Sequence, residues 1–140
     1  MISLKPIKPK ASAVNFAATE KAVRDTMTAL AKELQKDLQA TTSGWNHAVT
    51  FTVQQNRDGY TVATDDPIWR YGDDGTKPHA IVPRRRKLLR FTTHGAIVFA
   101  RGVQHPGTKA HHWSTILQEK YQAEMAHRLN AAIGSTLGGL

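Results

Sequence analysis

Three histidines close in sequence, His105, His111 and His112, have the side chains that could build a metal centre. Zinc takes three or four such ligands, each oriented by a further hydrogen bond. Adjacent histidines on a loop seldom point to one spot, so this spacing predicts one turn histidine and two surface or interface ones. Asp73 and Asp74 are adjacent acids without further ligands at the spacing of a cation loop, and they read as a surface turn. Ser114 and Thr115 have nucleophilic hydroxyls, but no Gly-x-Ser-x-Gly, phosphate loop or dinucleotide-binding glycine pattern accompanies them. Thr115 followed by Gln118 reads instead as a capping box. The chain is therefore expected to hold no metal and no cofactor, and not to be an enzyme.

Charge is the stronger signal. The net charge is +8, and no acid lies between Gly75 and Gln118. That window holds eight basic residues: Lys77, Arg84, Arg85, Arg86, Lys87, Arg90, Arg101 and Lys109. Outside it, 11 basic residues balance 11 acids. A field of one sign in one place suits an acidic protein surface or a polynucleotide. Arginine makes planar, bidentate contacts to carboxylate and phosphate. Arg84, Arg85, Arg86, Lys87 and Arg90, together with Asp73 and Asp74, are thus candidates to face a protein or DNA. A solvated basic surface stands beside those two readings. No recognition helix or aromatic RNA-binding strand is evident.

The elements that must position these residues follow from periodicity. Residues 15 to about 40 carry Phe16, Val23, Met27, Leu30, Leu34 and Leu38 at helical spacing, with Ser12 or Asn15 as cap. That stripe serves either core packing or a seam between subunits. Val49 to Val53 alternates as a strand, Asn56-Arg57-Asp58-Gly59 turns, and Tyr60 to Thr64 returns as a hairpin. Ile68 to Tyr71 suggests a helical turn or bent strand, and Gly72 to Pro78 a flexible loop. Ala80 to Val82 is a short strand stopped by Pro83. Leu88 to Phe91 and Ala96 to Ala100 form a second hairpin around His94-Gly95, which Arg101-Gly102-Val103 continues or bulges. Ser114 to Ile133 closes the chain as a helix, with Trp113, Leu117, Tyr121, Met125, Leu129 and Ile133 four apart and Gly134 at its end.

The expected class is α+β: a small, mainly antiparallel sheet of four to five strands, packed by a long N-terminal and a C-terminal helix. One domain spans 15–133. Residues 1–14, with Lys5-Pro6-Ile7-Lys8-Pro9-Lys10, read as a flexible basic arm, and 134–140 as a mobile tail. Residues 1–6 show no signal-peptide run, and no window approaches the ~18 apolar residues of a membrane span. With 140 residues a single core is expected, and without cysteine it has no disulfide.

Several short motifs follow one another in order. They are Tyr71-Gly72, Gly75-Thr76, His79-Ala80-Ile81-Val82-Pro83, Lys87-Leu88-Leu89-Arg90-Phe91, and Val103 through His105, Pro106, Gly107 and Thr108. In that order, between two helices, the chain resembles the head–tail joining proteins of long-tailed bacteriophages. This neck or tail-completion family is related to the lambda-type minor tail protein Z. The family usually carries an acid where Arg70 stands, and here Asp73 and Asp74 separate Tyr-Gly from Gly-Thr. The resemblance implies a structural virion protein at the head–tail junction, assembled in the host cytoplasm. It implies a homo-oligomeric ring, six-fold by phage tail symmetry, against head-closure, tail-terminator and tail-tube proteins, with DNA in the channel and no membrane. It gives the motif residues a packing role. The alternatives are a tail terminator or tail-tube protein, and a free basic nucleic-acid-binding domain.

Overall fold

A computed structural model describes residues 1–6 and 16–137. Among them the order is β1 (Ile2–Leu4), α1 (Phe16–Ala40), β2 (Thr52–Asn56), β3 (Gly59–Ala63), α2 (Pro67–Asp74), β4 (His79–Ile81), β5 (Leu89–Thr93), β6 (Ala96–Ala100), β7 (Val103–His105) and α3 (Trp113–Leu137). The α+β class with N-terminal and C-terminal helices is as expected. The strands, however, do not form one platform. They divide into three antiparallel sheets, β1-β3-β2, β4-β7 and β5-β6. The chain folds as two compact units where one domain was expected. One takes the described residues up to Trp69 and those from His112 on, and the other is Arg70–His111.

The first unit holds the buried hydrophobic core. Met27, Leu30, Leu34 and Leu38 of the α1 stripe are buried, as are Tyr121, Met125 and Leu129 of the α3 stripe. Phe16 is exposed, so the stripe packs only from its second turn on. The two helices run antiparallel, because their cross-partners descend in α3 as they ascend in α1. Thr19 bonds Thr136 at 3.0 Å, Glu33 takes Arg128 bidentately at 2.7 and 2.8 Å, and Asp37 accepts from Lys120 and Tyr121, each at 2.8 Å. The α1 stripe therefore packs the core of this unit. Candidate caps Ser12 and Asn15 lie outside the described residues.

The three-stranded sheet lays one face on these helices. Strand alternation puts Ile2, Leu4, Val53, Tyr60 and Val62 on that face, and Ile2, Leu4 and Val62 are buried. Ile2–Leu4 is thus a strand and not part of an arm: its two apolar side chains complete the core while its backbone pairs with β3. Residues 7–14 of the expected arm lie outside the described residues. The expected strand Val49–Val53 is displaced to Thr52–Asn56. The carbonyls of Val49 and Phe51 accept from Gln39 and Gln35 of α1 at 2.9 and 2.7 Å, so helix side chains take the place of a neighbouring strand there. Val49 and Phe51 still bury their side chains.

Trp45, Trp69 and Trp113 gather at the end of the core. Trp69 stacks on Trp113 at 5.9 Å, meets Phe51 edge-on at 5.4 Å, and donates Nε1–H to Thr41 Oγ1 at 3.0 Å. Trp45 lies 6.2 Å from Trp113. Trp69 is the last residue of this unit before the second, and Trp113 nearly the first after it. Stacking those two rings holds together the points where the chain leaves and returns.

Three boundaries differ from the sequence pattern. Gly72, Asp73 and Asp74 belong to α2, started by Asp66, whose Oδ1 accepts the Ile68 and Trp69 amides at 2.9 and 3.0 Å. Helix α3 begins before Thr115, with His112 O accepting the Ile116 amide at 3.0 Å, so the Thr115–Gln118 pair lies inside it. It also passes Gly134 and reaches Leu137, its last turn tied to α1 through the Thr136 hydroxyl. Residues 138–140 of the expected tail lie outside the described residues.

The Asp37 carboxylate gives a pH dependence. The Lys120 ammonium, foremost, and the Tyr121 hydroxyl hold it below its ordinary value of 3.8. The stabilisation is complete above that value and is lost as pH falls through the lower folded one. Asp37→Asn is expected to flatten the acid limb of a melting-temperature profile below pH ~4. The partly exposed Asp37 side chain keeps the change modest. An unchanged acid limb would show that Asp37 is not the group responsible.

Candidate functional site

In the second unit the motif residues converge on one corner. Strands β4 and β7 pair His79 with His105, Ala80 with Gln104 and Ile81 with Val103. The pairing continues past the strands at Thr76 and Thr108. The Thr76 amide donates to Thr108 O at 2.9 Å, and the Thr108 amide to Thr76 O at 3.1 Å and to Thr76 Oγ1 at 2.9 Å. The His79 and His105 rings stack at 5.0 Å. His105 Nδ1 accepts the Gly107 amide at 3.0 Å, so the histidine closes the His-Pro-Gly turn. His79 Nδ1 donates to Lys77 O at 2.7 Å.

Two glycines let these strands approach. Gly107 has φ 89°, and a side chain there would press on Thr76 O. Gly75 has φ 78°, and a Cβ there would sit 2.9 Å from both Ala110 N and Thr108 O. Gly75-Thr76 and Gly107-Thr108 are therefore one interlocked feature, although about thirty residues separate them. Tyr71 and Gly72 hold its approach: Tyr71 O accepts from Gly75, and Gly72 O from His111. Pro83 follows β4 and Phe91 lies in β5, so neither joins the corner.

No family model, curated protein or solved structure matches this chain. The corner therefore has to be read from its own geometry. It is a structural clasp, in which every polar group named above is engaged with backbone or with a stacked ring. Among the described residues, no three His, Asp or Glu side chains are arranged to hold a metal ion. No helix among them is long and apolar enough to cross a membrane.

The surface of this unit is unlike that of the first. Arg84, Arg85, Arg86 and Lys87 are exposed between β4 and β5, and Arg90 is exposed in β5 opposite Phe99. Asp74 is exposed, whereas Asp73 is buried, so only one of the paired acids can reach a partner. The reason is helical: in α2 successive side chains point about 100° apart. Sequence reasoning missed the apolar exposure. Val82, Ile97 and Phe99 are 62%, 54% and 60% exposed, and Leu88 and Phe91 are exposed as well. The signal was present in Ala96–Ala100, which is apolar on both alternations and thus has no solvent face. Strand β7 pairs with β4 and does not continue β6, so the β5-β6 hairpin stands as a separate two-stranded ribbon, turned by His94 and Gly95, both at positive φ.

Proposed function

We propose that this chain is an assembly protein of a phage neck, completing or joining the tail to the head as a ring of identical copies. Its work is the making of contacts, not turnover. The observation that carries this reading is the clasp: the residues of the resemblance, Gly75-Thr76, His79, Ile81, His105 and Gly107-Thr108, meet in one place and fix one corner. That corner belongs to a unit whose remaining surface is basic and apolar, which suits gripping neighbours better than standing in water. A ring of heterologous contacts closes by rotation, and six copies would match tail symmetry. Head-closure, tail-terminator and tail-tube proteins are the neighbours this position implies, with Arg84–Lys87 toward an acidic rim or the DNA in the channel. The site would be the virion, after assembly in the host cytoplasm.

The segregated charge favours one further reading, a basic nucleic-acid-binding domain. Salt separates the two. Binding to DNA phosphates falls steeply between ~50 and ~200 mM salt. A ring held by strand pairing and apolar contact is expected to persist across that range in size measurements and negative-stain images. Immunolabelling of purified particles tests the position itself, with label expected at the junction of capsid and tail. Label absent from the junction, with tight salt-sensitive DNA binding by a monomer, would favour the second reading.

A further inference from the structure

The β5-β6 hairpin is a ribbon with two faces and two edges. Register places Leu89, Phe91, Val98 and Ala100 on one face, and Arg90, Thr92, Ile97 and Phe99 on the other. A two-stranded ribbon is marginal in water, and this one carries apolar side chains on both sides. With Val82 and Leu88 it leaves about 500 Å² of apolar surface, taking roughly 150–250 Å² for a full aromatic side chain. That is a large share of the ~800 Å² each partner gives to a standard protein interface.

The kind of partner follows from where the residues sit. A lipid surface would be entered tip first, but the tip is Thr92-Thr93-His94-Gly95, polar and without aromatic side chains. Single-stranded nucleic acid stacks on aromatics of one face. Phe91 and Phe99 lie on opposite faces. A protein strand can meet both faces and an edge at once. The β5-β6 hairpin of a second copy is a poor match, because no acid lies between Gly75 and Gln118 and like charges would meet. All the acids except Asp73 and Asp74 lie in the first unit.

The first unit offers an edge of equal length. Strand β2 is outermost in β1-β3-β2, and its outer side has no strand neighbour among the described residues. Its sequence Thr-Val-Gln-Gln-Asn carries no proline and no charge, the usual means of blocking an edge. Strand β6, Ala-Ile-Val-Phe-Ala, is as long and equally unblocked. Beside Thr52 lies an open depression of about 430 Å³, lined by Ala48, Thr50, Ala63, Asp65 and Asp66. Asp66 is engaged by His47 and by the start of α2, while Asp65 is exposed.

We infer that β6 of one copy adds antiparallel to the outer edge of β2 in the next copy, so that the basic hairpin of each subunit extends the sheet of its neighbour. The direction is set by charge. Antiparallel addition puts Ala100 opposite Thr52 and carries Arg101 to the Asp65 end. Parallel addition would carry Arg101 to Arg57 at the other end. The contact joins two different surfaces, so it propagates head to tail and gives a ring where the rotation between copies closes. It rests on the ring reading above and names the surfaces that make the ring.

The chain has no cysteine, which makes a crosslink specific. Gln54→Cys and Val98→Cys, the central positions of the two strands, are prepared as separate full-length proteins with tags of different size. On mild oxidation at high protein concentration, a mixed covalent dimer is expected, with little dimer of either variant alone. Thr52→Cys with Ala100→Cys is expected to crosslink too, and Thr52→Cys with Ala96→Cys is not. The double variant Ile97→Lys, Phe99→Lys changes only exposed positions, and is expected to lose the assembly while keeping the circular dichroism of the parent. Absence of the mixed dimer, or dimers of Val98→Cys with itself, overturns the inference. So does assembly unaffected by the lysines. Particles labelled at the junction but without the Gln54–Val98 crosslink would overturn this contact and leave the ring reading standing. The crosslink without junction label would keep this contact and overturn the position at the neck.

Discussion

Trp69→Ala lowers the unfolding free energy of the first unit by about 3–5 kcal/mol, the range for deleting a buried large aromatic. The side chain is buried among Phe51, Trp113 and the Thr41 hydroxyl. Stacked and edge-on aromatic pairs each add roughly 0.5–1.5 kcal/mol beyond burial. Losing the indole N–H costs little by itself, because Thr41 Oγ1 also donates to Leu38 O at 2.6 Å. Trp69→Phe should therefore recover much of the loss. Denaturant unfolding followed by circular dichroism is the right measurement, since the substituted tryptophan would itself contribute to fluorescence. A change below about 1 kcal/mol, an ordinary surface value, would show that the indole cluster does not hold the two chain crossings together.

Gly107→Ala strikes the second unit. At φ 89° any Cβ is strained, and here it also presses on the carbonyl of Thr76, with Lys77 C and Pro78 N each 3.0 Å away. Left-handed backbone costs roughly 1–2 kcal/mol for a residue with a Cβ, and overpacking against fixed backbone roughly 1–3 more. A loss of about 2–4 kcal/mol is expected from their sum, since some relaxation overlaps. Hydrogen exchange locates it. The amides of Thr76 and Thr108 should lose protection while those of the α1 and α3 helices keep theirs. Uniform loss through both units would mean that they unfold as one. Unchanged protection at Thr76 and Thr108 would mean that the glycine is not required for the clasp.

These two variants separate what was written locally in the chain from what folding alone decides. The α+β class, the long helices and the two hairpins follow from residue periodicity, because an amphipathic stripe or an alternating run can bury its apolar side in only one regular conformation. The clasp motifs were likewise legible as turns, since Pro106-Gly107 and Gly75 admit few backbone shapes. Their meeting was not, because Thr76 and Thr108 pair only after the intervening hairpin has looped out and returned. The same holds for β1, whose Ile2 and Leu4 look like a frayed end until β3 supplies a partner. It holds for Val49–Phe51, whose carbonyls Gln35 and Gln39 capture from across the unit. Sheet membership is a long-range property: strand propensity says that a segment will pair, and only the packed chain selects with what. So the sequence determined the two long helices, the two hairpins and where the positive charge lies, while tertiary structure decided that β6 and β2 are left with open edges among the described residues.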